Sequence, residues 1–207
     1  MIITLDNLIT KLSQDKLVAV IRENSYQKAY DNIVAAISGG VKQIEITLTC
    51  PEYVRIYREI KDIYPEVSLG FGTVITTENL ESVKNEKPDF IVSPIFNEEV
   101  LAWCNANEVL YIPGVFTPNE ALNAYFKGAK VLKVFPSNTL GPNYISALTK
   151  VCPYLKFMPS GGVNLENCLD WLKAGSIAVS VGGNLISGST LEEKVQSAKA
   201  YVTKITG

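Results

Sequence analysis

Eight short apolar runs recur along the chain, beginning near Leu17 (LVAVI), Lys42 (KQIEIT), Val67 (VSLGFG), Asp89 (DFIVS), Val109 (VLYIPGV), Lys130 (KVLKVF), Leu155 (LKFMPS) and Ser176 (SIAVSVGG). Successive starts lie 25, 25, 22, 20, 21, 25 and 21 residues apart. Such a gap holds one strand and one helix, and residues 26–37, 52–64 and 97–106 carry the helical period. Strands alternating with helices are parallel, and eight of them predict a single α/β domain over residues 1–207, a (β/α)₈ barrel. A further helix over residues 5–14 is predicted to cover the bottom of that barrel. An open doubly wound sheet is the alternative, but no GxGxxG fingerprint follows the first run.

Helix ends are marked too. Thr117, Pro118 and Glu120 form an N-terminal signature, and Thr76 offers a capping hydroxyl. Gly39-Gly40, Gly128 and Gly175 stand shortly before strands, where a left-handed C-cap is needed.

With 207 residues, 47% hydrophobic and 19% charged, the chain buries one core. Nineteen basic against twenty-one acidic residues leave a net charge of −2 with no basic run, which excludes a nucleic-acid or anionic-membrane footprint. No apolar stretch approaches the ~20 residues of a membrane span, and no charged leader opens the sequence. Cys50, Cys104, Cys152 and Cys168 show no CxxC spacing and fit reduced thiols packed as small apolar groups, so a cytoplasmic protein is expected. Histidine is absent, which removes imidazole acid/base chemistry, Ser-His-Asp triads and His-containing metal sites. Proton transfer falls to Glu, Asp, Lys, Tyr, Cys or water. Of the three arginines, Arg55 and Arg58 read as helix-surface residues, whereas Arg22 directly follows the first strand.

In a parallel barrel the chemistry lies at the C-terminal ends of the strands, and polar residues collect there. Lys133, within VLKVF, would be desolvated, which favours the neutral and nucleophilic amine. Such an amine forms a Schiff base that acts as an electron sink. A core lysine held by a structural carboxylate is the other reading. Glu45, between Ile44 and Ile46, is either an acid/base partner or a structural partner of Arg22 or Lys133. Ser160-Gly161-Gly162, leading into a helix expected near Asn164, and Gly182-Gly183-Asn184 follow the seventh and eighth runs. Backbone N–H groups in such loops cradle phosphate, although each Gly pair alone could be a tight turn. Thr73 offers a carboxylate a hydroxyl, or caps the next helix. Tyr111, Trp103 and Trp171 read as packing residues.

Taken in order, VAVIR (18–22), EITL (45–48), GFGTV (70–74), SP (93–94), PGVFTPNE (113–120), LKVFP (132–136), PSGGV (159–163) and VGG (181–183) resemble the 2-keto-3-deoxy-6-phosphogluconate and 4-hydroxy-2-oxoglutarate aldolases. The resemblance implies a class I aldolase that splits a phosphorylated 2-keto-3-deoxy sugar acid into pyruvate and an aldehyde phosphate. It gives Lys133 as the Schiff-base lysine and Glu45 as the general acid/base. Thr73 matches the threonine that holds the pyruvyl carboxylate and Arg22 the arginine at the first strand end, while Ser160, Gly161, Gly162 and Gly183 match the phosphate-loop segments, beside Gly182 and Asn184. It further implies a homotrimer with no metal and no cofactor. Thr49 stands where the family carries arginine, and Asn184 where it commonly carries serine. Two rivals are an epimerase or isomerase barrel in which Lys133 is only an electrostatic stabiliser, and a sugar-phosphate-binding barrel without turnover.

Overall fold

The computed structural model describes residues 4–207 and shows an α/β fold. Strands β1 (Leu17–Ile21), β2 (Gln43–Thr47), β3 (Ser68–Gly72), β4 (Phe90–Val92) and β5 (Leu110–Ile112) come first. β6 (Gly114–Val115), β7 (Leu132–Val134), β8 (Phe157–Pro159) and β9 (Val179–Val181) follow. Helices α1 (Leu5–Asp15), α2 (Tyr26–Ser38), α3 (Tyr53–Ile63), α4 (Thr77–Glu81) and α5 (Glu98–Ala106) alternate with the first strands. Helices α6 (Pro118–Phe126), α7 (Ser137–Leu140), α8 (Pro142–Val151), α9 (Cys168–Lys173) and α10 (Leu191–Thr206) complete the chain. No helix among the described residues is long and apolar enough to cross a membrane.

All named strand pairs are parallel. One sheet runs β5-β4-β3-β2-β1-β9 and the other β6-β7-β8. Their edges are joined through the backbone at two places. Ser160 bridges Ser180, with Ile177 N–H donating to the Phe157 carbonyl at 3.0 Å, and β5 runs into β6 through Pro113. The fifth predicted run is therefore two strands. Pro113 has no N–H to donate, so the ladder stops there, while its carbonyl accepts from Lys133 N–H at 2.8 Å.

Period 2 divides each strand between two apolar layers. Leu17, Ala19 and Ile21 of β1, Ile44 and Ile46 of β2, and Leu69 and Phe71 of β3 pack in one core with helix residues such as Ile33, Ile56 and Ile60. Alternate residues from both sheets (Val18, Phe90, Val92, Leu110, Ile112, Val131, Met158 and Ala178) form a second cluster with Leu8, Ile9 and Leu12 of α1. Each such α1 side chain contributes about 1.5–3 kcal/mol by leaving water. The end of α1 is tied down by Gln43 Nε2 donating to Asp15 Oδ2 at 2.6 Å.

Local chemistry explains the helix limits. Asn97 caps α5 through bonds from the N–H groups of Glu99 and Val100, and Thr117 with Glu120 closes a capping box on α6. Thr76 with Asn79 does the same for α4. Gly40, Gly128 and Gly175 all adopt positive φ before strands. The helix expected near Asn164 begins only at Cys168. Asn164 Oδ1 takes the N–H groups of Glu166 and Asn167 in a side-chain turn that competes with the helix.

Candidate active site

Gln43, Glu45 and Thr47 share one face of β2, and Lys133 occupies the corresponding face of β7 on the other sheet. Glu45 pairs with Gly70, and Lys133 with Gly114 on one side and Met158 on the other. The two long side chains meet with Lys133 Nζ 3.9 Å from Glu45 Oε1, their side chains 7% and 1% exposed. That separation exceeds a hydrogen bond, so each group keeps capacity for a third party between them. The described residues offer no hydrogen-bond partner to the buried Glu45 Oε2. A buried, half-satisfied carboxylate is costly as a structural device and serviceable as a proton carrier. Lys133 Nζ also lies 5.1 Å from the centre of the Phe135 ring, whose face attracts a cationic nitrogen.

The strand ends beside Glu45 converge on Arg22. Its guanidinium donates to Thr49 Oγ1 at 3.2 Å and to Thr73 Oγ1 at 3.1 Å, holding the fork over the ends of β2 and β3. Thr47 Oγ1 lies 2.7 Å from Thr49 Oγ1 and donates to the Ile21 carbonyl at 2.9 Å, which fixes the Thr49 hydroxyl in turn. Thr73 has φ of 66°, rare for a β-branched residue and a mark of local strain. It does not cap the next helix; Thr76 does. Glu45 is paired with Lys133, and Arg22 bonds the two threonines instead.

Across the site the polar groups are backbone. Ser160 is buried, with its N–H donating to the Val134 carbonyl and its carbonyl accepting from Ser137 N–H. Gly161 and Gly162 have φ of 93° and 80°, and a Cβ on Gly162 would lie 2.5 Å from Asn138 Cβ, so glycine is required there. Gly183 opens a short 3-10 turn, Gly183–Ile186, while Gly182 and Gly183 have open space where a side chain would be. Asn184 is exposed. Among the described residues the N–H groups of Gly162 and Gly183 donate to no protein acceptor. The late start of α9 withdraws the helix dipole expected behind Gly162, leaving these N–H groups and the 3-10 turn to meet an anion.

Two clefts open on this face, one lined by Arg22, Glu23, Asn24, Lys28 and Thr49 and one that includes Pro94, Gly114, Phe116 and Phe135. A larger concavity than either, about 580 Å³, opens elsewhere, among Leu8, Lys87, Asp89, Trp103 and Val109 near the N-terminal ends of β4 and β5. It contains none of the predicted site residues, and its Lys84 and Asp89 are already paired with Glu81 and Lys61. Sequence reasoning missed Phe135, although period 2 from Lys133 would have found it. It also missed the space that Gly72 leaves beside Glu45. Tyr111 is a packing residue as expected, its hydroxyl bonded to Asn97 N–H and the Ile95 carbonyl and pushed up to about 12 by burial.

Comparison with known proteins identifies the family. The family model described as KDPG and KHG aldolase matches residues 8–201. A 2-dehydro-3-deoxy-6-phosphogalactonate aldolase of Escherichia coli is 33% identical over 189 residues, covering 90% of this chain and 92% of that one. A 2-dehydro-3-deoxy-phosphogluconate aldolase of Treponema pallidum is 28% identical, covering 87% of this chain and 86% of its own. A solved structure described as native KDPGal superposes with a TM-score of 0.84 at 31% identity, over 91% of this chain and 93% of that one. With a match from the first helix into the last, the chain belongs to the KDPG and KHG aldolase family.

Proposed function

We propose that the chain is a class I aldolase cleaving a 2-keto-3-deoxy-6-phospho sugar acid, the gluconate or its C4 epimer the galactonate, to pyruvate and glyceraldehyde 3-phosphate. The observation that carries this is the facing of Lys133 Nζ and Glu45 Oε1 at 3.9 Å, both buried, on two different sheets. Lys133 adds to the C2 ketone, and loss of water gives the protonated imine. Glu45 relays the protons of that step through a water, then accepts the C4 hydroxyl proton as the C3–C4 bond breaks and its electrons enter the imine. The resulting enamine takes a proton at C3, and hydrolysis releases pyruvate. Phe135 stabilises the cationic nitrogen through its ring face. Arg22 and Thr73 hold the substrate carboxylate, and Thr49 orients Arg22 in place of a second cation. The Ser160-Gly161-Gly162 and Gly182-Gly183-Asn184 segments receive the phosphate.

The scaffold of this chemistry is a closed (β/α)₈ barrel with α1 across its base. The Ser160–Ser180 bridge and the apolar cluster shared by both sheets and α1 support it. A homotrimer follows from the family resemblance and a cytoplasmic location from the four free cysteines, and light scattering on the purified protein tests the trimer. The decisive experiment is borohydride reduction with pyruvate. An adduct on Lys133 is expected, and its absence, with Lys133 unmodified, would leave the epimerase rival standing.

A further inference from the structure

We infer that Gly72 is a positioning residue for the reaction, because its missing side chain is what lets the Glu45 carboxylate face Lys133. This role rests on Glu45 being the acid/base proposed above. Gly72 ends β3, paired with Thr47 of β2. A Cβ built there would lie 2.0 Å from Glu45 Oε1 and 2.6 Å from both Cδ and Cγ, and these are the three atoms nearest to it. The backbone gives no reason for glycine at this position, since Gly72 is not among the glycines of positive φ. Space for one carboxylate is the remaining reason.

Two other glycines beside the site show the contrast. A Cβ on Gly70 would strike the Phe90 ring at 2.2 Å and the Phe90 carbonyl oxygen at 2.5 Å, and one on Gly114 would strike the Pro94 carbonyl oxygen at 2.0 Å. Those neighbours are backbone or a packed ring, so a side chain there disturbs the fold. At Gly72 the neighbour is the outer part of a flexible side chain, which can swing aside. The fold tolerates that movement, and the proton transfer does not. An acid/base must lie within about 2.6–3.2 Å of the heavy atom that carries its proton, or reach it through one water, and a displacement of about 1 Å costs on the order of 100-fold in rate.

The test measures kcat, KM and melting temperature for Gly72→Ala, Glu45→Ala and the double variant. Gly72→Ala is expected to lose on the order of 100-fold in kcat with KM little changed. In the Glu45→Ala background the same substitution should alter neither the residual rate nor the melting temperature, because the atoms it would strike are gone. A Gly72→Ala protein with unimpaired kcat overturns the inference, as does an equal loss in both backgrounds, which would place the effect elsewhere, for example at Thr73. If Gly72→Ala fails to fold, the inference is overturned whether or not the double variant folds, because the glycine is then needed by the fold and not by the proton transfer. Full activity in Glu45→Ala would instead overturn the acid/base role of Glu45 itself. A slow Glu45→Ala beside a fast Gly72→Ala overturns only the role given to Gly72.

Discussion

The two ends of the proposed site are made of different material. The keto-acid end is built from side chains: Lys133 and Glu45 buried between the sheets, with Arg22 strung across Thr49 and Thr73. The proposed phosphate end is built from main chain, with glycines at 161, 162, 182 and 183, the N–H groups of Gly162 and Gly183 donating to no protein acceptor among the described residues, and no lysine or arginine within those two segments. A reacting ketone needs groups that gain and lose protons at set positions. A phosphate needs only fixed donors, which the backbone supplies without a desolvated cation. Substitutions at the first end should therefore alter chemistry on every substrate, and those at the second should alter affinity for phosphorylated substrates alone.

The largest effect is expected from Lys133→Ala, which should abolish turnover and borohydride trapping with the fold intact by circular dichroism. Lys133→Arg should be as inactive, since a guanidinium stays protonated. Glu45→Gln should slow turnover by on the order of 10²–10⁴ with substrate binding much less changed, checked by single-turnover kinetics. Arg22→Ala removes a charge-assisted contact worth about 1.5–3 kcal/mol, so kcat/KM should fall roughly 10- to 100-fold. That fall should be equal for the phosphorylated sugar acid and for unphosphorylated 4-hydroxy-2-oxoglutarate. Asn184→Ala, the mildest, should raise KM roughly 2- to 10-fold for the phosphorylated acid, as expected for one neutral hydrogen bond, and leave the unphosphorylated one unchanged. If Arg22→Ala spares one substrate, or Asn184→Ala harms both equally, the division between the two ends fails.

The same division governs how much could be read from the sequence. A charged residue inside an apolar strand is conspicuous, so Lys133 and Glu45 stood out, and their strand positions followed from the eightfold spacing. Their approach to 3.9 Å did not, because it depends on which strands face each other and on the small residues between them. At the phosphate end glycine was the only visible mark, and a glycine in a turn looks the same whether or not its N–H awaits a ligand. Helix starts were legible where a side chain caps its own helix, as at Thr117 and Thr76. Asn164 misled because its side chain satisfied the N–H groups of a turn before the helix began. Pro113 lay in plain view, yet the split it imposes on the fifth strand is settled by the two partners on either side, β4 and β7.

Thr73 sits in a left-handed backbone conformation that a β-branched residue occupies at a cost of about 1–3 kcal/mol. Its hydroxyl meets Arg22 only because the chain is held there. Glycine at position 73 would relax that strain and delete the hydroxyl in a single step. A thermostability campaign that ranked variants by melting temperature alone would therefore be drawn toward discarding half of the proposed carboxylate clamp. In this enzyme the heat-resistant sequence and the fast one are pulled apart at a single residue, and a selection meant to keep both must assay turnover alongside heat resistance.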